Sequence, residues 1–177
     1  MSTLLEVIEI SAWYGQSQAL FSVSLAVGEG EAVALMAGEK GDAYLLAGGT
    51  DLLVRMRGAF IDPDLVVDIK RIPGIQEIRE RSSGFSIGAG VPCATLGRNR
   101  ALVRAWPGVV EAAQLIGSDQ IQGRCTIAGN LCNASPAADS VPALVAAKAK
   151  AVVVGPGGRR QVPVEKIVTG PGRTSLG

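Results

Sequence analysis

The chain has 177 residues, of which 47% are hydrophobic and 19% charged, and its formal net charge is +1. This composition predicts a globular protein with a core of its own and excludes a disordered chain. The charge is spread without a basic run, so neither nucleic acid nor an anionic membrane is expected as a partner. The longest apolar runs are too short to span a membrane, and the N-terminus lacks the pattern of a signal peptide.

Histidine is absent, and the chain has three cysteines, Cys93, Cys125 and Cys132. The absence of histidine excludes Ser-His-Asp and Cys-His catalysis as well as His-ligated metal sites. The cysteine count is odd and no pair has CxxC spacing, which predicts a reduced, cytoplasmic chain without a zinc or iron–sulfur site of its own. No side chain stands out as a catalytic acid, base or nucleophile.

The N-terminal segment favours β-strands. Residues 4–10 are rich in β-forming side chains, and residues 19–27 alternate between apolar and polar positions. Residues 13–16 are expected to connect these two strands, and residues 28–31 predict a turn. Residues 32–36 then fit either a strand or a short helix.

The N-terminal segment contains the stretches Leu4-Leu5-Glu6-Val7, Ser11-Ala12-Trp13-Tyr14-Gly15 and Val33-Ala34-Leu35-Met36. In these stretches, residues 1–36 resemble the N-terminus of the ATP-binding subunit of an ABC transporter of the branched-chain amino acid type. In that family an aromatic residue at the position of Tyr14 stacks on adenine. A phosphate loop, G-x-x-x-x-G-K-[ST], should follow Met36, but the chain continues Ala37-Gly38-Glu39-Lys40-Gly41-Asp42. We therefore interpret residues 1–36 as a strand-forming leader without an ATP site.

A glycine pair follows the next apolar run. The stretch 45–53, Leu-Leu-Ala-Gly-Gly-Thr-Asp-Leu-Leu, predicts a buried strand, a tight turn and the start of a helix. Gly48 and Gly49 tolerate a positive φ, and Thr50 or Asp51 is expected to cap the helix. Successive backbone N–H groups would then point into one concavity that suits a phosphate, although the same pattern also makes ordinary turns.

The middle of the chain mixes strands and helices. We expect the first helix to end at Gly58, a buried strand at residues 65–69, and a hairpin formed by residues 75–78 and 85–89. A helix begins near Ala94. One or two further helices cover residues 101–117, with Pro107 in the first turn of the second. Residues 118–123 predict a polar loop.

A second site rich in small and polar residues covers residues 124–139, and no turn, cap or core explains its composition. A helix is expected at residues 140–147, followed by a hairpin with strands at 151–154 and 159–164 around Gly155-Pro156-Gly157-Gly158. Residues 170–174 predict a loop with nothing to pack against.

Residues 38–177 resemble the FAD-binding domain of the molybdenum hydroxylases, that is, the medium subunit of xanthine dehydrogenase and aerobic carbon-monoxide dehydrogenase. The likeness rests on six motifs in order: Ala47-Gly48-Gly49-Thr50-Asp51-Leu52, Asp68-Ile69 with Ile72-Pro73-Gly74, Ile87-Gly88-Ala89-Gly90, Thr126-Ile127-Ala128-Gly129-Asn130, Ser135-Pro136-Ala137-Ala138-Asp139 and Gly170-Pro171-Gly172-Arg173-Thr174. Any one of these is weak, but their order is specific.

The resemblance implies an α+β, two-lobed PCMH-type FAD-binding fold. A small α/β lobe would cover residues 37–72, and a larger lobe with an antiparallel sheet and helices would cover residues 73–177. The domain would be truncated at its C-terminus, and the leader would replace the family's first strand–helix unit, with the join within residues 31–38. Residues 31–36 are a candidate for the family's first helix, because Ala32, Leu35 and Met36 share a helical face.

The resemblance assigns the pyrophosphate of FAD to two facing backbone nests, neither of which is basic in sequence. Thr126 and Asn133 would donate side-chain hydrogen bonds, and Asp139 would accept from ribitol or ribose hydroxyls. Alternatively, Asn130 and Asp139 only cap turns and helices. Ala128 stands where the family often has glycine, which requires a negative φ there. The implied cofactor-binding residues are Leu46, Ala47, Gly48, Gly49, Thr50, Asp51, Leu52, Thr126, Ala128, Gly129, Asn130, Asn133, Ser135 and Asp139.

The implied function is electron transfer. FAD would receive electrons from an iron–sulfur subunit of a complex that also contains a molybdopterin subunit, and pass them to NAD⁺, a quinone or oxygen. Two alternatives remain at this point. The chain is an ATP-binding fragment of a transporter, judged from residues 1–36 alone, or a truncated fusion without activity.

Overall fold

The computed structural model describes residues 10–14, 17–23 and 31–176. It contains both helices and strands, as an α+β fold requires. The predicted strand at residues 4–10 and the predicted turn at residues 28–31 lie almost entirely outside the described residues. The elements of the first half are β1 Ile10–Tyr14, β2 Ser17–Val23, α1 Glu31–Gly38, β3 Ala43–Leu46, α2 Leu52–Arg57, β4 Leu65–Asp68, β5 Ile78–Arg81 and β6 Gly84–Ile87. Those of the second half are α3 Cys93–Arg98, α4 Arg100–Ala105, α5 Pro107–Gln114, α6 Asp119–Gln122, α7 Ile127–Asn133, α8 Ser140–Ala146, β7 Lys150–Gly155, β8 Gly158–Pro163, β9 Val168–Gly170 and β10 Arg173–Thr174.

The two N-terminal strands form an antiparallel pair. Trp13 pairs with Gln18 and Tyr14 with Ser17, so the expected connection at residues 13–16 is wrong for its first two residues, which belong to β1. The open choice at residues 32–36 is settled in favour of a helix, α1. Ala32 on that helix is only 8% exposed.

A parallel β–α–β unit surrounds the glycine pair. Strands β3 and β4 pair in parallel, with Leu46 opposite Asp68, and α2 connects them. The strand before the turn is not buried as predicted, since Leu45 is 52% exposed while Val67 on β4 is fully buried. The reason is that no described element packs over the side chain of Leu45, on a strand whose described partner is β4.

The hydrophobic core lies among the helices of the second half. Its fully buried members include Val91, Leu96, Ala113 and Ile167. Pro107 occupies the first turn of α5 and separates it from α4, as predicted. The loop expected at residues 118–123 is wrong, because its polar residues form the single exposed turn α6. A local hydrogen bond from Cys125 N to Ile121 O at 2.7 Å extends this turn, and the side chain of Gln122 donates to the carbonyl oxygen of Gln114 at the end of α5.

The remaining strands form separate two-stranded antiparallel ribbons, β5–β6, β7–β8 and β9–β10, which cover the helical core. The hairpins expected near residues 82–83 and 155–158 are confirmed. The expected loop at residues 170–174 is instead the ribbon β9–β10, and it does have a partner. Gly172 N donates to Ala134 O at 2.9 Å, and Leu176 packs against the core.

Candidate cofactor site

The Gly48 turn, residues 47–51, connects β3 to α2. Gly49 has φ +78°, a conformation that favours glycine, as predicted from the sequence. The hydrogen bonds of the described residues include none donated by the backbone N–H of Gly48, Gly49, Thr50 or Asp51. Four consecutive N–H groups are therefore free to bind an external acceptor such as a phosphate.

The predicted cap of α2 is wrong. Asp51 occupies the N-cap position but makes no side-chain cap bond, because its backbone is helical (φ −98°, ψ −47°) rather than extended. Its carboxylate instead accepts from Thr50 Oγ1 at 3.5 Å and from Asn133 Nδ2 at 3.2 Å. The Asn133 amide thus donates to Asp51, across the site, with one of its two N–H groups.

The second predicted nest uses part of its donors internally. Thr126 caps α7, with Oγ1 accepting from Gly129 N at 2.9 Å, and Asn130 N donates to Thr126 O at 2.9 Å. The N–H groups of Ile127 and Ala128, in the first turn, remain for an external acceptor. Ala128 is not among the described residues with positive φ, so alanine is compatible with that position.

Asn130 and Asp139 behave differently from each other. Asn130 Oδ1 accepts from Ser140 N at 3.3 Å and from Ser140 Oγ at 2.6 Å, so the capping interpretation describes Asn130. Asp139 precedes α8 without a side-chain cap bond and is exposed, so its carboxylate is available. Ser135 Oγ accepts from Ala137 N at 3.2 Å and stabilises the loop between α7 and α8.

The fold brings the Gly48 turn against the start of the second site. A Cβ built on Gly48 would collide with the carbonyl oxygen of Arg124 and lie 2.9 Å from the Cα of Cys125. Arg124 Nε also donates to Gly48 O at 3.2 Å. Only glycine permits this backbone approach, and the two predicted nests therefore meet in one place.

Two cations at this site were missed in the sequence. Lys70 Nζ donates to Ala47 O at 3.1 Å and forms an ion pair with Asp68 at 2.8 Å. Lys70 and Arg124 together line an open cleft of about 190 Å³ beside Gly48. A parallel pairing of the two predicted strands would have placed Lys70 beside the Gly48 turn. Asp68 pairs with Leu46, so the residues that follow the two strands are neighbours. Neither site is basic in its own sequence, but the assembled site is.

Cys93 and Cys125 are in contact next to the Gly48 turn. Cys93 N donates to Cys125 O at 2.9 Å, and both side chains are buried. Burial raises the pKa of the Cys93 thiol, and the neighbouring Cys125 adds to this effect. Burial likewise raises the pKa of Cys125. Both groups are therefore neutral thiols near pH 7 rather than nucleophiles.

Comparison with known proteins identifies the class. Residues 21–177 match the family of the FAD binding domain in molybdopterin dehydrogenase. The chain is 39% identical over 147 residues to the carbon monoxide dehydrogenase medium chain of Hydrogenophaga pseudoflava, covering 83% of this chain and 51% of that one. It is 33% identical to the xanthine dehydrogenase FAD-binding subunit of Escherichia coli O157:H7, covering 82% and 50%.

Solved structures agree. Carbon monoxide dehydrogenase from Hydrogenophaga pseudoflava matches with a TM-score of 0.79 and 40% identity, covering 84% of this chain and 52% of that one. The enzyme from Oligotropha carboxidovorans matches with a TM-score of 0.80 and 30% identity, covering 85% and 52%. The chain belongs to the family of FAD-binding domains of molybdopterin dehydrogenases, as the sequence motifs predicted, and spans about half the length of the curated relatives it matches.

The site suits the cofactor of this family. N–H groups without a partner among the described residues, and a glycine whose Cβ would obstruct the approach of two backbones, match the needs of a pyrophosphate. Two nearby cations hold carbonyl oxygens of the same turn. Among the described residues, no helix is long and apolar enough to cross a membrane.

Proposed function

We propose that the chain binds the pyrophosphate of FAD between the Gly48 turn and the N-terminus of α7. One observation carries this proposal. Four consecutive N–H groups with no partner in the described part of the chain lie where Gly48 meets Arg124 and Cys125. Backbone donors fixed in this way bind phosphate without reorganisation, which keeps the cost of binding low.

The residues have distinct roles in this proposal. Gly48 to Asp51 donate N–H groups to one phosphate, and Ile127 and Ala128 donate to the other. The exposed carboxylate of Asp139 accepts from a ribitol or ribose hydroxyl. The remaining members shape the cleft or hold these groups in place: Leu46, Ala47, Leu52, Thr126, Gly129, Asn130, Asn133 and Ser135.

When bound, FAD supplies the redox chemistry, and the protein supplies binding and electrostatics. We propose that the parent complex passes electrons from an iron–sulfur subunit through this flavin to an acceptor such as NAD⁺ or a quinone, and that a molybdopterin subunit completes it. The names of the relatives support this role, since they are medium chains and FAD-binding subunits of dehydrogenases. We also propose a cytoplasmic location.

The organisation of the chain into a leader at residues 1–36, a first lobe at 37–72 and a second lobe at 73–177 is likewise a proposal. The parallel unit β3–α2–β4 and the helical core on either side of residue 73 support the division between the lobes.

FAD titration of the wild-type chain and of Asp139→Ala tests the proposal. We expect the wild type to quench flavin fluorescence on binding, and Asp139→Ala to bind about tenfold to a hundredfold more weakly, as loss of a hydrogen bond to a charged group implies. Glu111→Ala, an exposed acid on α5, is the matched control and should bind like the wild type. A wild-type chain that is folded by circular dichroism yet binds no FAD would contradict the proposal. Normal binding by Asp139→Ala would remove only Asp139 from the site.

A further inference from the structure

Two consecutive carbonyl oxygens of the Gly48 turn are each held by a cationic side chain. Lys70 Nζ donates to Ala47 O at 3.1 Å, and Arg124 Nε donates to Gly48 O at 3.2 Å. Both cations come from outside the turn, and Arg124 lies 76 residues beyond Gly48 in the sequence. These contacts fix the two peptide units that begin the turn.

The geometry of the peptide links these carbonyls to the N–H groups. In a trans peptide the C=O and N–H bonds point to opposite sides. The Ala47 carbonyl shares its peptide with the N–H of Gly48, and the Gly48 carbonyl shares its peptide with the N–H of Gly49. Holding each carbonyl against a cation therefore aims the two N–H groups away from the cations, and polarisation of the peptide strengthens them as donors.

We propose that Arg124 and Lys70 are positioning residues of this turn. They orient the N–H groups of Gly48 and Gly49 toward the diphosphate of the cofactor without contacting it themselves. This inference rests on the proposed binding of FAD between the Gly48 turn and α7. It adds two side chains that none of the glycine motifs contains.

The two cations are not equivalent. Lys70 forms an ion pair with Asp68 at 2.8 Å, which neutralises much of its charge, and it belongs to the same β–α–β unit as the turn. None of the ion pairs found among residues 31–176 involves Arg124, and this residue connects the turn to the segment that leads into α7. Arg124 therefore has the larger effect.

The test compares four variants of the full chain by FAD titration, with the melting temperature of each apoprotein measured in parallel. Arg124→Gln removes the charge, Arg124→Lys keeps it, and Lys70→Met removes the other cation at nearly constant length. Arg104→Gln, an exposed arginine at the end of α4, is the matched control.

We expect Arg124→Gln to weaken FAD binding by about tenfold or more, and Lys70→Met by about threefold. Arg124→Lys should recover part of the loss, and Arg104→Gln should bind like the wild type. Melting temperatures of the apoproteins should stay close to that of the wild type, since the carbonyls can turn to water when no ligand is present. Rescue by lysine at an unchanged melting temperature separates positioning from a structural role.

Equal affinity of Arg124→Gln and Arg104→Gln for FAD would overturn the inference while leaving the proposed function intact. Absence of FAD binding by the wild type would overturn both. If Arg124→Gln melts at a much lower temperature, its FAD affinity is no longer informative, and Lys70→Met becomes the test of the positioning role. Weaker FAD binding at an unchanged melting temperature then supports the inference, and wild-type binding overturns it.

Discussion

The Gly48 turn and the segment that begins at Thr126 look similar in sequence, but their backbone donors have different partners. In the Gly48 turn, none of the four N–H groups from Gly48 to Asp51 donates to a described protein group. In the second segment, Thr126 Oγ1 binds Gly129 N, and Asn130 N bonds within the helix. The first region is therefore open to a ligand, whereas half of the second is committed to its own helix.

The difference shows what decides whether a glycine-rich stretch is a ligand nest or an ordinary helix start. A threonine at the N-cap satisfies a donor from within, and this stabilises the helix. A turn whose acidic residue is itself in helical conformation leaves those donors unsatisfied. Donors that the protein leaves free are available to a ligand, which then replaces water as their partner.

Gly49→Val should have the largest effect, because it disrupts the turn whose N–H groups are open to a ligand. Valine at φ +78° is strained by about 1–3 kcal/mol, and its Cβ would lie 2.7 Å from Leu46 Cδ1. We expect FAD affinity to fall by about a hundredfold, because the turn can no longer present its N–H groups. Fluorescence titration measures the affinity, and chemical denaturation measures the stability.

Gly158→Val provides the matched control for this strain. Gly158 also has positive φ, but it lies in the β7–β8 turn, where a Cβ meets no atom within 4 Å. It should lose stability while keeping its FAD affinity. Equal loss of FAD by both variants would mean that Gly49 acts only through global stability.

A smaller effect is expected at Thr126. Thr126→Val removes the cap of α7 and should lower the free energy of unfolding by about 0.5–2 kcal/mol. In the wild type, the Thr126 hydroxyl accepts from Gly129 N and can still donate its own hydrogen to the cofactor. Thr126→Val loses this donor, so FAD binding should also weaken, by about twofold to tenfold. Asn99→Ala removes the corresponding cap of α4, where Asn99 Oδ1 accepts from Leu102 N at 3.0 Å. Asn99→Ala should lower the free energy of unfolding without changing FAD affinity. If Thr126→Val and Asn99→Ala bind FAD with the same affinity, Thr126 is not part of the site.

The smallest effects concern the thiols. A thiol reagent should modify exposed Cys132 first in the native chain, slowly at neutral pH because desolvation raises the pKa of this thiol, and should modify Cys93 and Cys125 only after denaturation. The pKa of Cys93 is raised by burial, so this thiol keeps its proton in the folded state at pH values at which the unfolded chain loses it. Its contribution to stability is therefore complete below the ordinary thiol pKa and declines as the pH rises above it. Rapid native labelling of all three cysteines would contradict the burial of the pair.

Local patterns predicted much of the secondary structure. Alternation and turn residues located the β5–β6 and β7–β8 ribbons, and Pro107 marked the boundary between two helices. The glycine pair indicated a backbone with positive φ, which Gly49 adopts, because few residues other than glycine do so. These features depend on neighbours within a few residues, which is why the sequence alone reveals them.

What escaped prediction depends on the tertiary fold. The polar residues 118–123 carry no helical pattern, and a contact with another helix, from the Gln122 side chain to the Gln114 carbonyl of α5, helps to hold α6 in place. The site was expected to be uncharged because Lys70 lies 22 residues beyond Gly48. Only the parallel register of β3 and β4 makes them neighbours. The capping of α8 by Asn130 likewise needs two helices to meet.

The contact between Gly48 and Arg124 has a consequence for the order of events in folding. The two residues are 76 positions apart, so this contact closes a long loop and forms only after local structure has appeared on both sides. A cofactor bridging these segments recognises the assembled chain and not the unfolded one. Each increase of its free concentration above the dissociation constant therefore adds to folding stability, by about 2.7 kcal/mol at a hundredfold excess. If FAD binds as proposed, the supply of cofactor would then help to set how much of the chain is folded.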